Sequence, residues 1–334
     1  MKDQVQHLRH RGIRAAAIYS GLSHEEIITT LENCIFGGIT ILYVSPERLS
    51  SELFRTKLRH MKVSFITVDE AHCISQWGYD FRPSYLQIAD IRKDLPGIPV
   101  LALTATATPL VVEDIQEKLT GISGISGISS FNVFKMSFKR KNLAYVVRHA
   151  TDKRQELIHI LESVKGCAIV YARSRRRTKE VAELLCEAGI SATYYHAGLD
   201  TTVKDQRQRD WQEDKVRVMV ATNAFGMGID KHDVRVVLHI DCPDSLEAYF
   251  QEAGRAGRDG RKSYAVLLYN DADHRKLDKR ISDTFPEKDY VRKVYEHLAF
   301  FYQVGVGSGY HATFEFNIDK FCHAFRHFPI QVDS

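Results

Sequence analysis

A chain of 334 residues has room for about two domains of roughly 150 residues each, and its 44% hydrophobic and 26% charged content is that of an ordinary globular protein. That composition excludes disordered and fibrous folds; no apolar run approaches the ~20 residues of a membrane-spanning helix, and Met1-Lys2-Asp3-Gln4 starts no apolar signal core. The net charge of +4 permits a polyanionic partner without demanding one.

In chain order, short aliphatic or β-branched runs alternate with helix-length amphipathic stretches, the pattern of parallel sheets covered by helices. The runs are Ala15–Tyr19, Ile39–Val44, Phe65–Val68 and Val100–Leu103, then Ala168–Tyr171, Ala192–Tyr195, Val216–Val220, Val236–Ile240 and Ala265–Tyr269. They form two series separated by Gly121–Ser130, three tandem Gly-Ile-Ser units too short for a solenoid and read as a loop expansion. The expected division is therefore a first α/β domain over 1–137, a connection over 138–150 and a second α/β domain over 151–272. From 273 to 334 charged amphipathic helix takes over, the start of an accessory domain for which a winged-helix-like fold is one candidate. The six cysteines stand singly, with no Cys-x-x-Cys pair, so reduced thiols in a cytoplasmic protein are expected and no zinc. Cys322, His323 and His327 fall on one expected helix, but without a carboxylate or third histidine they read as a solvated face.

Phe65–Val68 delivers Asp69-Glu70-Ala71-His72 at its C-terminal end, where open α/β sheets place their ligands. In a nucleotide hydrolase the first carboxylate would hold Mg²⁺ and the second would orient or deprotonate the attacking water. The segment continues as Cys73-Ile74-Ser75-Gln76-Trp77-Gly78-Tyr79-Asp80-Phe81-Arg82-Pro83-Ser84-Tyr85, and with it the chain resembles the RecQ family of DNA helicases. Met1–Val5 and Ser45-Pro46-Glu47-Arg48-Leu49 resemble the family's DNA-backbone motifs, and Leu103-Thr104-Ala105-Thr106-Ala107 its coupling motif. Tyr195-His196-Ala197-Gly198-Leu199, Ala221–Lys231 and Gln251–Gly260 complete the set in the second domain.

The resemblance implies two RecA-like parallel-sheet domains, the first truncated at its N-terminus, with ATP between them, and 3′→5′ unwinding of DNA in recombination and repair. It implies Asp69 as the Mg²⁺ ligand, with Glu70, His72, Gln251, Arg255 and Arg258 as catalytic residues and Gly228 and Asp230 at the nucleotide. For DNA it implies Ser45, Arg48, Trp77, Phe81, Arg82, Thr104, Thr106, His196 and Thr222, meeting single-stranded and duplex-junction DNA. The residues agree with this in kind. Arg255 and Arg258 stand one turn apart, so a helix there would project both guanidiniums from one face. Trp77, Tyr79, Phe81 and Tyr85 crowd a stretch that Gly78 and Pro83 mark as loop, and rings exposed on a loop stack bases without sequence preference. The basic runs at 173–179 and 135–141 either track phosphates or form solvated faces.

Two features are missing. No Gly-x-x-x-x-Gly-Lys-Ser/Thr occurs; Gly260-Arg261-Lys262-Ser263 lacks the Gly-Lys step and precedes an expected strand. The family's phosphate loop lies N-terminal to the segment resembled by Met1–Val5, so the chain is expected to start inside the first domain and to bind Mg-ATP poorly alone. After Cys242 only Cys322 remains, so the family's four-cysteine zinc subdomain is absent. The runner-up reading is a single-stranded DNA-binding fragment without catalysis, and an RNA helicase is weakened by Cys73–Tyr85. The sequence names no protein partner.

Overall fold

A computed structural model describes residues 1–334 except Ser20, Tyr79, 121–131, Met227, Gly228, Asp230, Val306 and Ser334, and except the side chains of Lys2 and Asp3. The tandem Gly-Ile-Ser segment and the two nucleotide candidates Gly228 and Asp230 thus lie outside the described residues.

The first part runs α1 (Lys2–His10), β1 (Ala15–Ile18), α2 (His24–Ile35), β2 (Ile41–Val44), α3 (Glu52–Leu58), β3 (Ile66–Val68), α4 (Gln87–Asp94), β4 (Val100–Ala102) and α5 (Pro109–Thr120). The second continues with β5 (Leu143–His149), α6 (Lys153–Ser163), β6 (Cys167–Tyr171), α7 (Arg175–Glu187), β7 (Ala192–Tyr195), α8 (Thr201–Gln212), β8 (Val218–Ala221), β9 (Val234–His239), α9 (Leu246–Ala253) and β10 (Ser263–Tyr269). Four helices follow, α10 (Asp271–Thr284), α11 (Lys288–Phe301), α12 (Ile318–Phe325) and α13 (Pro329–Asp333), with no strand among the described residues there.

The second part holds one six-stranded sheet, ordered β5-β10-β9-β6-β8-β7, with every pair parallel. Its central strands are near-continuous apolar runs because helices cover both faces. Alternation of side chains along β6 divides the core. Ala168 and Val170 join Leu157, Leu161 and Leu185 on one face, whereas Cys167, Ile169 and Tyr171 join Trp211, Met219 and Phe225 on the other.

In the first part, β1 pairs β2 and β3 pairs β4, both parallel. Ile66 of β3 packs against both cores there, one centred on Leu31 and Phe54 and one on Ile74, Ile115 and Leu119. The first of the final helices, α10, is tied to α6 by a buried ion pair, Lys153 Nζ to Asp273 Oδ2 at 2.5 Å, and Lys153 also donates to the Ile240 carbonyl just past β9 at 2.7 Å.

Three local expectations change. The segment expected to be a connection contains β5, paired with β10 along all seven residues; Leu143 is buried while most of the strand is not, so it reads weakly as an edge strand. Arg255 and Arg258 do not extend a helix: α9 stops at Ala253, and Gly257 takes φ +63°, where no helix continues. His327 lies beyond α12, because Arg326 caps that helix in the left-handed region, and bonds instead to His297 (2.8 Å) and Tyr290 (3.0 Å).

Candidate active site and nucleic-acid face

Strand β3 ends at Val68, and the chain turns sharply at Glu70, whose backbone sits in the left-handed region at φ +51°. A non-glycine residue in that conformation is uncommon, and it persists where surrounding bonds over-determine it. Those bonds come from the end of β4: Leu103 N donates to Val68 O at 2.8 Å, and Ala71 N donates to Leu103 O at 2.9 Å. The turn leaves Asp69 exposed at the strand end, with its Oδ1 accepting from Glu70 N at 3.0 Å.

Glu70 is half-buried and meets the second part of the chain: Gln251 Nε2 donates to its Oε1 at 3.2 Å. Burial holds its carboxyl above the usual carboxylate range, aided by the neighbouring Asp69 charge; Arg255, Arg82 and the Gln251 bond offset part of that. His72 is 1% exposed, with Nδ1 at 3.1 Å from Thr104 Oγ1 and 3.4 Å from Glu70 Oε2. Burial pushes its imidazole below the ordinary value. The ring therefore links the carboxylate to the end of β4.

Arg255 is 7% exposed and donates to the Gly226 carbonyl, while Arg258 is exposed and donates to the Ile229 carbonyl at 2.8 Å. A Cβ at Gly226 would stand 2.2 Å from the Arg255 guanidinium carbon, so a side chain there would displace the guanidinium, and the backbone at φ +142° favours glycine as well. Two residues assigned no site role at the sequence level hold this turn. Arg140 donates to the carbonyls of Gly254 (2.9 Å) and Gly257, and Asn142 Nδ2 donates to those of Gly257 (2.7 Å) and Arg261 (3.0 Å). In the sequence Arg140 belongs to the basic run at 135–141, and Arg140-Lys141-Asn142-Leu143 resembles the family's Arg-Pro-Asn-Leu connection without its proline. Arg140 is engaged by backbone and is no free phosphate contact.

The aromatic stretch after His72 winds over a short 3-10 turn, Ala71–Ile74. Gly78 sits so tightly on it that a Cβ would stand 2.5 Å from the His72 carbonyl. This presents Trp77 at 69% exposure, while Phe81 is half-buried and Tyr85 is buried. Arg82 is held by Asp80 Oδ2 at 2.6 Å, and Cys73 Sγ lies 3.8 Å from the same oxygen. Ser45 is buried with an unpaired Oγ, Arg48 follows it on a 3-10 turn, and Thr106 Oγ1 is buried and unpaired. His196 stacks on Tyr194 at 5.8 Å, and burial, with the nearby cations Arg175, Arg207 and Lys204, holds its imidazole below the ordinary value. Thr222 is buried at the end of β8, its amide donating to Tyr195 O at 3.2 Å.

The structure thus brings Glu70, His72, Thr104, Arg82 and Gln251 into one constellation. In the other basic run, Arg173, Arg176, Arg177 and Lys179 pair with Asp244, Glu180, Asp241 and Glu183.

Comparison with known proteins bears directly on this arrangement. The DEAD/DEAH box helicase model matches residues 1–115, and the helicase conserved C-terminal domain model matches 152–260. An ATP-dependent DNA helicase RecQ of Haemophilus influenzae is 41% identical over 280 residues, which cover 84% of this chain and 44% of that protein. The Bacillus subtilis protein of the same name is 42% identical over 275 residues, covering 82% and 45%. The chain belongs to the RecQ helicase family. It spans less than half the length of these curated relatives. The fold of this RecQ chain is also that of a Mycobacterium smegmatis helicase, Lhr, solved with single-stranded DNA and AMP-PNP: TM-score 0.59 at 17% identity, covering 82% of this chain and 39% of that one. No helix among the described residues of the RecQ chain is long and apolar enough to cross a membrane.

Proposed function

We propose that this RecQ-family chain is the core of an enzyme that couples ATP hydrolysis to 3′→5′ unwinding of DNA in recombination and repair, in the cytoplasm, and on the nucleoid if its source is bacterial. The observation that carries the reading is the hydrogen bond from Gln251 to Glu70, which joins the carboxylate pair after β3 to the arginine-bearing turn after α9. The proposed division is 1–137 and 151–272 for the two RecA-like domains, with 273–334 as the accessory start.

In this reading Asp69, exposed at its strand end, fits a Mg²⁺ ion, which takes one or two carboxylates and completes its shell with phosphate oxygens and water. Held there with ATP, the ion would supply neutralisation of the phosphate charge. Glu70 accepts the proton of the attacking water, and burial, which raises its proton affinity above that of an ordinary carboxylate, makes it the stronger base. His72 positions Glu70 against Thr104. Arg255 and Arg258 stabilise charge developing on the transferring phosphoryl group, an effect worth roughly 10³–10⁵ in rate where arginines play this part. Gly228 and Asp230 are assigned to the nucleotide from the family resemblance alone.

Single-stranded and duplex-junction DNA is proposed to run over Ser45, Arg48, Thr104, Thr106, His196 and Thr222, with a base stacked on Trp77 and Phe81 and Arg82 beside it. The 334 residues contain no phosphate loop. By themselves they are proposed to bind DNA without hydrolysing ATP measurably, which is the second reading, a non-catalytic DNA-binding unit, confined to this stretch. The test is DNA-stimulated phosphate release by a form that includes a Gly-Lys-Ser/Thr loop. Release lost in Glu70→Gln is expected; an unchanged rate in that variant overturns the catalytic assignment, and release by the 334 residues alone overturns the second reading.

A further inference from the structure

We propose that His72, Cys73 and Asp80 form a binding site for a borderline-soft divalent cation of the Zn²⁺ and Co²⁺ class. One donor atom from each of the three residues lies within 4.8 Å of the other two, with His72 and Cys73 buried and Asp80 half-buried. Two of the spacings are already near those of a tetrahedral site. Metal–nitrogen bonds of about 2.05 Å and metal–sulfur bonds of about 2.3 Å place ligand atoms about 3.6 Å apart. His72 Nε2 lies 3.7 Å from Cys73 Sγ, and Cys73 Sγ lies 3.8 Å from Asp80 Oδ2. A nitrogen, sulfur and oxygen donor set selects Zn²⁺ or Co²⁺ over Mg²⁺ or Ca²⁺, which take oxygen.

The surroundings of His72 supply what such a site requires beyond its ligands. A histidine that binds a metal through one ring nitrogen donates the other N–H to a carboxylate, carbonyl or similar acceptor, which fixes tautomer and orientation. With Nε2 facing Cys73, Nδ1 already faces Glu70 Oε2 at 3.4 Å and Thr104 Oγ1 at 3.1 Å. Cation binding at Nε2 places the proton on Nδ1 and engages one of these oxygens. Asp80 Oδ2 now accepts from Arg82 at 2.6 Å, so the cation shares or takes that oxygen and frees the guanidinium. The thiol proton leaves to solvent as the sulfur becomes a ligand.

The ligands at 73 and 80 bracket Trp77, so the bound ion closes the exposed aromatic turn into a ring. It also holds His72 against Glu70. The site stands on its geometry, and the test is blind to the role proposed for Glu70.

Purified chain is titrated with Co²⁺ alone, without ATP or DNA. One equivalent is expected to produce a thiolate-to-cobalt absorption band and to quench tryptophan emission, more in wild type than in Trp77→Phe, which keeps only Trp211. Cys73→Ala removes the band, and Asp80→Asn, a change at a half-buried position, weakens Co²⁺ binding by about tenfold or more. Cys186→Ala, which alters the exposed cysteine, leaves both signals intact. A band that survives Cys73→Ala, or an affinity that ignores Asp80→Asn, overturns the proposal. Quenching as large in Trp77→Phe as in wild type overturns it equally.

Discussion

Replacement of Trp77 by alanine removes a ring that is 69% exposed, and none of the backbone bonds that shape its turn depends on that ring. Ser75 N donates to His72 O at 3.1 Å, Gly78 N to Ser75 O at 3.0 Å and Arg82 N to Cys73 O at 2.9 Å. Stability should therefore change by no more than about 0.5 kcal/mol, the range for surface positions without special roles. The loss falls on binding. One base stack is worth about 1–3 kcal/mol, or roughly 5- to 160-fold in Kd for single-stranded DNA. Fluorescence anisotropy of a labelled oligonucleotide measures this directly, with Trp77→Phe expected to lie between wild type and Trp77→Ala. Salt titration separates stacking from charge, since each neutralised phosphate adds about 0.7 to the log–log slope for single strands. Trp77→Ala should weaken binding at every salt concentration and leave the slope alone. Equal affinity for wild type and Trp77→Ala at matched salt would refute the reasoning, and the turn would then be packing only.

Lys153→Met should destabilise the protein by about 3 kcal/mol, the lower end for breaking a buried ion pair, because Asn270 N still donates to Asp273 Oδ2 at 2.9 Å. Urea denaturation followed on α10–α13 checks this, and a loss below about 1 kcal/mol contradicts it. Gly226→Ala should drive the Arg255 guanidinium from its pocket and lower phosphate release about as far as Arg255→Ala does, roughly 10³-fold. The two rates are compared side by side in the ATP-hydrolysing form, and a normal Gly226→Ala rate refutes the contact. Burial, with the charges of His297 and Lys293, lowers the His327 imidazole, whose ring bonds Tyr290 and His297. The unfolded chain then binds the extra proton first, so stability contributed by His327 is full above its ordinary value of 6.5 and declines as pH falls towards the folded value. Melting curves from pH 8 to pH 5 should show that decline in wild type and a smaller one in His327→Gln.

Much of the fold was legible because its signals are local. Nine apolar runs bounded by polar or glycine-rich stretches are visible without any contact map, and all nine overlap strands. Asp69-Glu70-Ala71-His72 and the residues to Tyr85 are contiguous, so their common location follows from chain connectivity, and the exposure of Trp77 follows from a loop too short and polar to bury every ring. Strand β5 escaped notice because an edge strand buries few of its side chains; of Leu143–His149 only Leu143 is buried, and the basic residues before it read as a linker. The helix expected to carry Arg255 and Arg258 failed because two glycines end it, and helical spacing alone does not register a backbone at φ +63°.

Other facts required the folded chain. Glu70 and Gln251 lie 181 residues apart, and nothing in either segment specifies a 3.2 Å bond between them. Arg140 and Asn142 serve the arginine turn only because β5 pairs with β10, which brings Asn142 beside Gly257 and Arg261. The His72, Cys73 and Asp80 group arises in the same way at shorter range: the tight packing of Gly78 on the His72 carbonyl folds residue 80 back over residue 73. Local composition fixes which residues alternate, break or cap. Which distant side chains share a low-dielectric pocket, and how their proton affinities move there, is a matter of packing and of the energy of buried charge.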